Sequence, residues 1–297
     1  MKFASIDIGS NAVRLLFTKV FEDDSGAVFK KDSLIRMPIR LGKDVFVNQE
    51  ISKDKIDSLV NTMIAFKYLI DAYKPIDYMA CATSAMREAT NRKKVVKKIK
   101  EKSQIDVEII DGKREAEIIY ANHIAEKLNP NKNYLYIDVR GGSTELSLIS
   151  SGRVINSQSF NIGTVRILED KVTKSQWQKM KVWIDKNTAD YKYIGGIGSG
   201  GNINKMFKMA LKEEDEPLTY KNIKSIYKIL NSYSFEDRIT KLGLRPDRAD
   251  VIIPAAKIYL SVLKWADIKK LYVPQIGLSD GIIHILYEKQ KRKHLSI

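Results

Sequence analysis

Two stretches of the chain carry the same pattern of apolar and polar positions. Phe3-Ala4-Ser5-Ile6-Asp7 is a short apolar run that ends in an acid. It is followed by the polar turn Ile8-Gly9-Ser10-Asn11 and a second apolar run, Val13-Arg14-Leu15-Leu16-Phe17. Tyr134-Leu135-Tyr136-Ile137-Asp138, then Val139-Arg140-Gly141-Gly142-Ser143-Thr144, then Leu146-Ser147-Leu148-Ile149 repeats it. Each reads as a β-hairpin with an acid at the end of its first strand and a tight turn after it. The echo predicts two similar domains, divided near residue 123 into 1–123 and 124–297, facing each other across a cleft. In that arrangement each hairpin delivers one carboxylate and one set of backbone N–H groups to a shared phosphate or metal.

Between and after the hairpins, strands alternate with helices. Ile56, Leu59, Val60, Met63, Ile64, Phe66, Leu69 and Ile70 recur at helical spacing and predict a helix over Asp54–Ala72. Tyr78–Ala82 and Val107–Ile110 read as strands, and Arg114–Leu128 as a helix. The second half predicts a strand at Val154–Phe160, a helix at Ser175–Lys186 and a short strand at Tyr193–Gly196. A Gly198–Gly201 turn, a helix from Asn202, and helices over Tyr220–Tyr233, Arg248–Leu263 and Gly281–Lys289 follow. This alternation is that of the α/β class. The last helix, about 281–297, is expected to pack back on the first domain.

Composition narrows the picture. At 297 residues, 44% of them hydrophobic, the chain can fill two cores, and disorder is excluded. The single cysteine, Cys81, excludes a disulfide scaffold and suits a reducing, cytoplasmic compartment. An acid at Asp7 interrupts what a signal peptide needs to be apolar, and no apolar run approaches the ~18 residues of a membrane span. His123, His284 and His294 lack ligand spacing, against a histidine-rich zinc site. Net charge is +15, which favours anionic partners as readily as it serves solubility. Much of it lies in two blocks: an amphipathic helix at 92–102, and the tail Lys289–His294, which is expected to fray. No basic motif interleaved with aromatics supports nucleic-acid binding.

Three glycine turns can carry anion chemistry. Asp7-Ile8-Gly9-Ser10-Asn11 and Arg140-Gly141-Gly142-Ser143-Thr144 can each expose consecutive backbone N–H groups, although either also makes an ordinary turn. Ile197-Gly198-Ser199-Gly200-Gly201-Asn202 stands between a strand and a helix start, where the helix N-terminus adds positive potential. Thr83, Ser84 and Arg87 offer hydroxyls and a guanidinium fork, or simply a helix N-cap and a surface arginine. Gly112-Lys113-Arg114-Glu115-Ala116-Glu117 opens a helix. Glu115 is either part of a solvated first turn or a general base acting on water.

Taken together and in order, these segments resemble the exopolyphosphatase/guanosine pentaphosphate phosphohydrolase (Ppx/GppA) family in its short two-domain form. That family falls within the actin-like ATPase superfamily. The resembling segments are 7–11, 82–91, 112–117, 138–145, Asn161-Ile162-Gly163-Thr164-Val165-Arg166, 195–202 and Arg248-Ala249-Asp250-Val251-Ile252. The resemblance implies two ribonuclease-H-like domains flanking an interdomain cleft. It also implies Mg²⁺-dependent hydrolysis of polyphosphate or a guanosine polyphosphate, and makes a homodimer plausible. It makes Glu115 the base, and gives Asp7, Asp138 and the nearby Glu145 to Mg²⁺. Gly9, Ser10, Asn11, Ser84, Arg87, Gly141, Gly142 and Ser143 would bind phosphate. Gly198, Gly200, Gly201 and Arg248 would lie on the nucleotide or polyphosphate side.

One position departs. Where the family pattern reads Gly-Gly-Gly-Ser, this chain has Arg140, which falls where Gly9 falls in the first half. A requirement for positive φ there would cost a non-glycine residue about 1–2 kcal/mol. Alternatively the side chain folds out and grips a phosphate. Arg140 therefore opens a second reading: a catalytically impaired polyphosphate- or alarmone-binding protein. A kinase or ATPase of the same superfamily is a third, less well matched by 112–117.

Overall fold

The computed structural model describes residues 1–23, 26–120, 129, 131–213 and 216–295. The chain divides into two compact units, Met1–Asn122 with Gly277–Ile297, and His123–Ile276. The second unit thus ends at Ile276, and the last segment joins the first unit.

In the first unit β1 (Lys2–Ile8), β2 (Val13–Asp23) and β3 (Gly26–Met37) form an antiparallel meander. Helices α1 (Leu41–Asn48) and α2 (Lys53–Tyr73) follow, then β4 (Asp77–Ala82), α3 (Ser84–Glu88), α4 (Arg92–Ser103), β5 (Val107–Ile109) and α5 (Gly112–Tyr120). Strands β4 and β5 add in parallel beside β1, giving the order β3-β2-β1-β4-β5. The central strand β1 is buried from Phe3 onward on both faces, with Ser5 and Asp7 the polar residues among apolar ones. The helix expected over 54–72 is α2. That expected over 114–128 is described only as far as Tyr120, and residues 121–128 lie outside the described residues.

The second unit repeats the scheme. Strands β6 (Asn133–Val139), β7 (Thr144–Ser150) and β8 (Arg153–Phe160) make the meander. Helices α6 (Thr164–Leu168) and α7 (Lys174–Thr188) lead to β9 (Ile194–Ser199) and α8 (Gly201–Met209). Then come α9 (Tyr220–Ser232), α10 (Phe235–Thr240), α11 (Pro246–Ala249), α12 (Ile252–Trp265) and the short strand β10 (Leu271–Tyr272). Strands β9 and β10 run parallel beside β6, so the sheet order is β8-β7-β6-β9-β10, the first unit's order again. A three-strand antiparallel meander with two parallel strands beside its first is the ribonuclease-H-like arrangement. Sequence and structure agree that there are two such α/β units.

Local chemistry sets several boundaries. α7 and α9 each begin in a capping box, Thr173 with Gln176 and Thr219 with Asn222. The helix expected over 248–263 is two helices, α11 and α12, with a break at Asp250 and Val251. The turn expected over 198–201 is shorter, because β9 runs through Ser199. Gly198 is a strand residue, and a Cβ there would lie 3.1 Å from Ile203 and 3.4 Å from Leu271 and Tyr259. Tyr259, wholly buried on α12, donates from its hydroxyl to the carbonyls of Ile137 (3.1 Å) and Ser199 (2.8 Å). This fastens the adjacent ends of β6 and β9.

The final helix, α13 (Leu278–Leu295), packs on the first unit. The Ser5 hydroxyl in β1 donates to the Ser279 carbonyl at its start (2.8 Å). The basic segment expected to fray continues this helix through Leu295, and Lys289 pairs with Asp77 at 3.0 Å. α13 meets α5 at Gly281, where a Cβ would stand 1.9 Å from the Ile118 carbonyl oxygen. That is backbone, which cannot swing away. Gly281→Ala is therefore expected to destabilise the protein by about 1–3 kcal/mol. Thermal unfolding should show this as a lowering of roughly 2–4 °C per kcal/mol.

Candidate active site

The hairpin of each unit places an acid at the same point. Asp7 closes β1 and pairs across the ladder with Arg14; Asp138 closes β6 and pairs with Glu145. The four-residue turns that follow are alike: Gly9 N–H donates to Ala12 O (3.1 Å), and Arg140 N–H to Ser143 O (3.0 Å). Gly9 and Arg140 thus spend their N–H groups inside their own turns.

In the first unit Asp7 is 4% exposed. Its Oδ2 accepts from Arg14 Nη1 at 2.7 Å, while its buried Oδ1 accepts no hydrogen bond among the described residues. The turn is braced from outside by the start of α1. Gly42 N–H donates to Ser10 O (2.8 Å) and Arg40 N–H to Asn11 O (3.1 Å). The Ser10 and Ser84 hydroxyls share a buried hydrogen bond of 2.8 Å, so the turn after β1 and the start of α3 meet. Arg87, one turn along α3, donates to the Ile110 carbonyl (2.8 Å) at the end of β5. The same Nη1 stands 3.7 Å from Oε2 of Glu115. Glu115 is wholly buried in the first turn of α5, which Asp111 caps by accepting from Arg114 N–H (2.7 Å). The solvated-turn alternative for Glu115 is therefore set aside. Cys81, the parallel neighbour of Asp7, is buried, and burial foremost pushes its thiol up to about 12. It is an inert packing residue.

In the second unit Asp138 and Glu145 are each 2% exposed. Asp138 Oδ2 accepts from Arg140 Nε at 2.7 Å, and the same nitrogen is 3.9 Å from Glu145 Oε2. Glu145 Oε1 accepts from Ser143 Oγ (2.6 Å) and Ser159 Oγ (3.0 Å). Arg140 does not have positive φ, so the strain expected of a non-glycine residue is absent, and its side chain turns back onto the acids. The turn lies against the start of α6. The Gly141 carbonyl accepts from Val165 N–H (2.9 Å), and the Gly142 carbonyl from the buried Arg166 Nε (2.6 Å). Gly163 permits this approach, since a Cβ there would be 2.4 Å from Gly141 O. Gly200, at φ +106°, leaves open the space beside Asp138, and a Cβ there would be 3.3 Å from Oδ1. Gly201 starts α8, and Arg248 lies against it, its Nη2 2.9 Å from where a Gly201 Cβ would be.

The structure therefore joins Ser10 with Ser84, Arg87 with Glu115, and Asp138 with Glu145 and Ser143. It sets Gly200 beside Asp138 and Arg248 beside Gly201, and leaves Gly198 in the sheet. The sequence reading missed Arg14 and Ser159; both follow from strand register, Arg14 facing Asp7 and Ser159 facing Glu145. Among the described residues no three His, Cys, Asp or Glu side chains form a metal cage. The donor sets are carboxylates in ones and twos.

Two ribonuclease-H-like units, each with an acid-ended hairpin and a glycine-rich turn, define a phosphate-handling class of α/β protein. The chain belongs to the Ppx/GppA phosphatase family, whose description it matches over residues 26–290. It is 30% identical over 285 residues to a bifunctional 3-dehydroquinate synthase/phosphatase of Fusobacterium nucleatum, covering 88% of this chain but 43% of that protein. A crystal structure of an exopolyphosphatase from Cytophaga hutchinsonii has the same fold, with a TM-score of 0.83 at 23% identity over 97% of this chain and 98% of that one. The Ppx/GppA family member of Aquifex aeolicus superposes with a TM-score of 0.74 at 26% identity, over 98% of both chains.

Burial pushes the Glu145 carboxyl above its ordinary range; the Asp138 charge adds to this, and Arg140 opposes it. A carboxyl raised in the fold weighs against stability as pH climbs from its unfolded value, about 4.3, through its folded one. Glu145→Gln keeps the shape and removes that penalty. Its unfolding midpoint is expected to exceed that of wild type at pH 7 and to match it near pH 4.

Proposed function

We propose that the protein hydrolyses phosphoanhydride bonds in a polyanion, inorganic polyphosphate or guanosine pentaphosphate, with Mg²⁺ as cofactor. Membership of the Ppx/GppA phosphatase family and a net charge of +15 support the substrate class. The observation that carries the reaction type is Glu115, a carboxylate without solvent exposure whose cationic neighbour, Arg87, lies on the same short helix as Ser84, the hydroxyl partner of Ser10.

Phosphoryl transfer needs positioning and charge neutralisation more than covalent chemistry. Glu115 orients the attacking water and takes its proton. Arg87 and the hydroxyls of Ser10 and Ser84 hold phosphoryl oxygens, with Asn11 as a further donor. In the second unit Gly141, Gly142 and Ser143 have the donor chemistry for phosphate, and Gly200, Gly201 and Arg248 that for a nucleotide or polyphosphate. Asp7 Oδ1, buried and accepting no hydrogen bond among the described residues, suits a hard cation, while Oδ2 stays with Arg14. Asp138 and Glu145 have the same donor chemistry, but Arg140 already neutralises the oxygens that face it. When bound, Mg²⁺ supplies charge for the phosphate oxygens and the leaving group. Among the described residues no helix is long and apolar enough to cross a membrane, and a lone buried thiol suits a cytoplasmic setting.

Glu115→Gln tests this reading. Phosphate release from long-chain polyphosphate or guanosine pentaphosphate is expected to fall about 10²–10⁴-fold with substrate affinity kept. Unchanged turnover would remove Glu115 from the role of base. The ion pair of Arg140 with Asp138 favours the second reading, a binding protein without turnover. Calorimetry showing tight polyphosphate binding by a wild-type protein that releases no phosphate at any Mg²⁺ concentration would establish that reading instead.

A further inference from the structure

Each hairpin ends its first strand in an acid, but the two differ in where they keep their cation. In the first unit the residue opposite Asp7 is Arg14, and the turn position two after the acid is Gly9. In the second unit the residue opposite Asp138 is Glu145, and the turn position two after the acid is Arg140. The arginine stands across the ladder in the first unit and in the turn in the second, where a glutamate takes the place across the ladder. The need for a cation in the second turn is electrostatic. Like charges directly opposite on adjacent strands repel, and Asp138 and Glu145 are both buried, where repulsion is strongest. Glu145 Oε1 already has two hydroxyl donors, which leaves Oε2 and Asp138 Oδ2 as the oxygens that face Arg140. The guanidinium is 2.7 Å from one and 3.9 Å from the other, on a side chain only 16% exposed.

We propose that Arg140 is a resident cation for the Asp138–Glu145 pair, the second unit's substitute for Arg14, and that its guanidinium restrains these two carboxylates from binding a divalent metal ion. A fixed positive charge beside the two oxygens occupies a lone pair of Asp138 Oδ2, at 2.7 Å, and repels an incoming dication from both. Without it the pair becomes two buried anionic oxygen donors, the set that a hard divalent cation takes. The proposal shares with the functional reading only the choice of ion. It is tested by ion binding without turnover, so its failure and that of the hydrolase reading are distinct.

The experiment titrates Mn²⁺, and Mg²⁺ in competition with it, into the full-length wild type, Arg140→Gly, Arg140→Gln and Arg140→Lys, following bound Mn²⁺ by electron paramagnetic resonance. Gly9 holds the equivalent turn of the first unit, so Arg140→Gly is compatible with the backbone. Arg140→Gln keeps side-chain length should the glycine variant fold poorly. Arg140→Gly and Arg140→Gln are expected to bind Mn²⁺ about tenfold or more tightly than wild type, or to bind one further ion per chain. Arg140→Lys is expected to keep the wild-type isotherm. Wild-type isotherms for both neutral variants, or an equal gain in Arg140→Lys, would overturn the proposal.

Discussion

A carboxylate buried at the end of a central strand must have a cation beside it, and this constraint organises both units. Asp7 and Asp138 each sit where the first strand of a meander stops and the chain reverses in four residues. An isolated buried charge would be costly enough to favour its neutral form. Arg14 meets Asp7 at 2.7 Å and Arg140 meets Asp138 at 2.7 Å, one from the neighbouring strand and one from the turn itself. That the same pairing is reached from the neighbouring strand in one unit and from the turn in the other argues that the acid is what each hairpin is built to hold.

The surrounding structure buries these acids and braces the turns that follow them. Ser10 and Asn11 are braced by backbone groups from the start of α1, and the 140–143 turn by the start of α6. Gly163 is where α6 comes within contact of that turn, and Gly200 is where the end of β9 passes beside Asp138. Tyr259 ties the ends of β6 and β9 through two carbonyls. Ser84 and Arg87, which could meet an anion, stand on the short helix α3 after β4, and Arg248 of α11 lies against Gly201 at the start of α8, the helix after β9. This is where an α/β sheet presents its ligands.

Much of this was legible in the residues. Apolar runs ending in an acid and a glycine turn marked both hairpins, and helical spacing marked α2, α7 and α9. What stayed hidden depends on partners distant in sequence. β3 alternates weakly because most of it is exposed at a sheet edge, so its pattern carries little signal. Arg14 reads as an ordinary strand residue until register sets it against Asp7. Gly198 reads as part of a turn, yet it is a gap in the sheet filled by Ile203, Leu271 and Tyr259. Arg140 posed a choice between strain and an outward grip. Ordinary backbone geometry and two buried acids behind it led to neither.

The most direct measurement is the turnover of Asp7→Asn. The variant keeps an oxygen for Arg14 and removes the charge, so the hairpin should stay folded. With polyphosphate as substrate, kcat is predicted to fall about 10²-fold or more while the circular-dichroism spectrum and unfolding midpoint stay near those of wild type. A folded Asp7→Asn protein that releases phosphate at the wild-type rate would contradict the claim that the acid ending β1 is a working carboxylate.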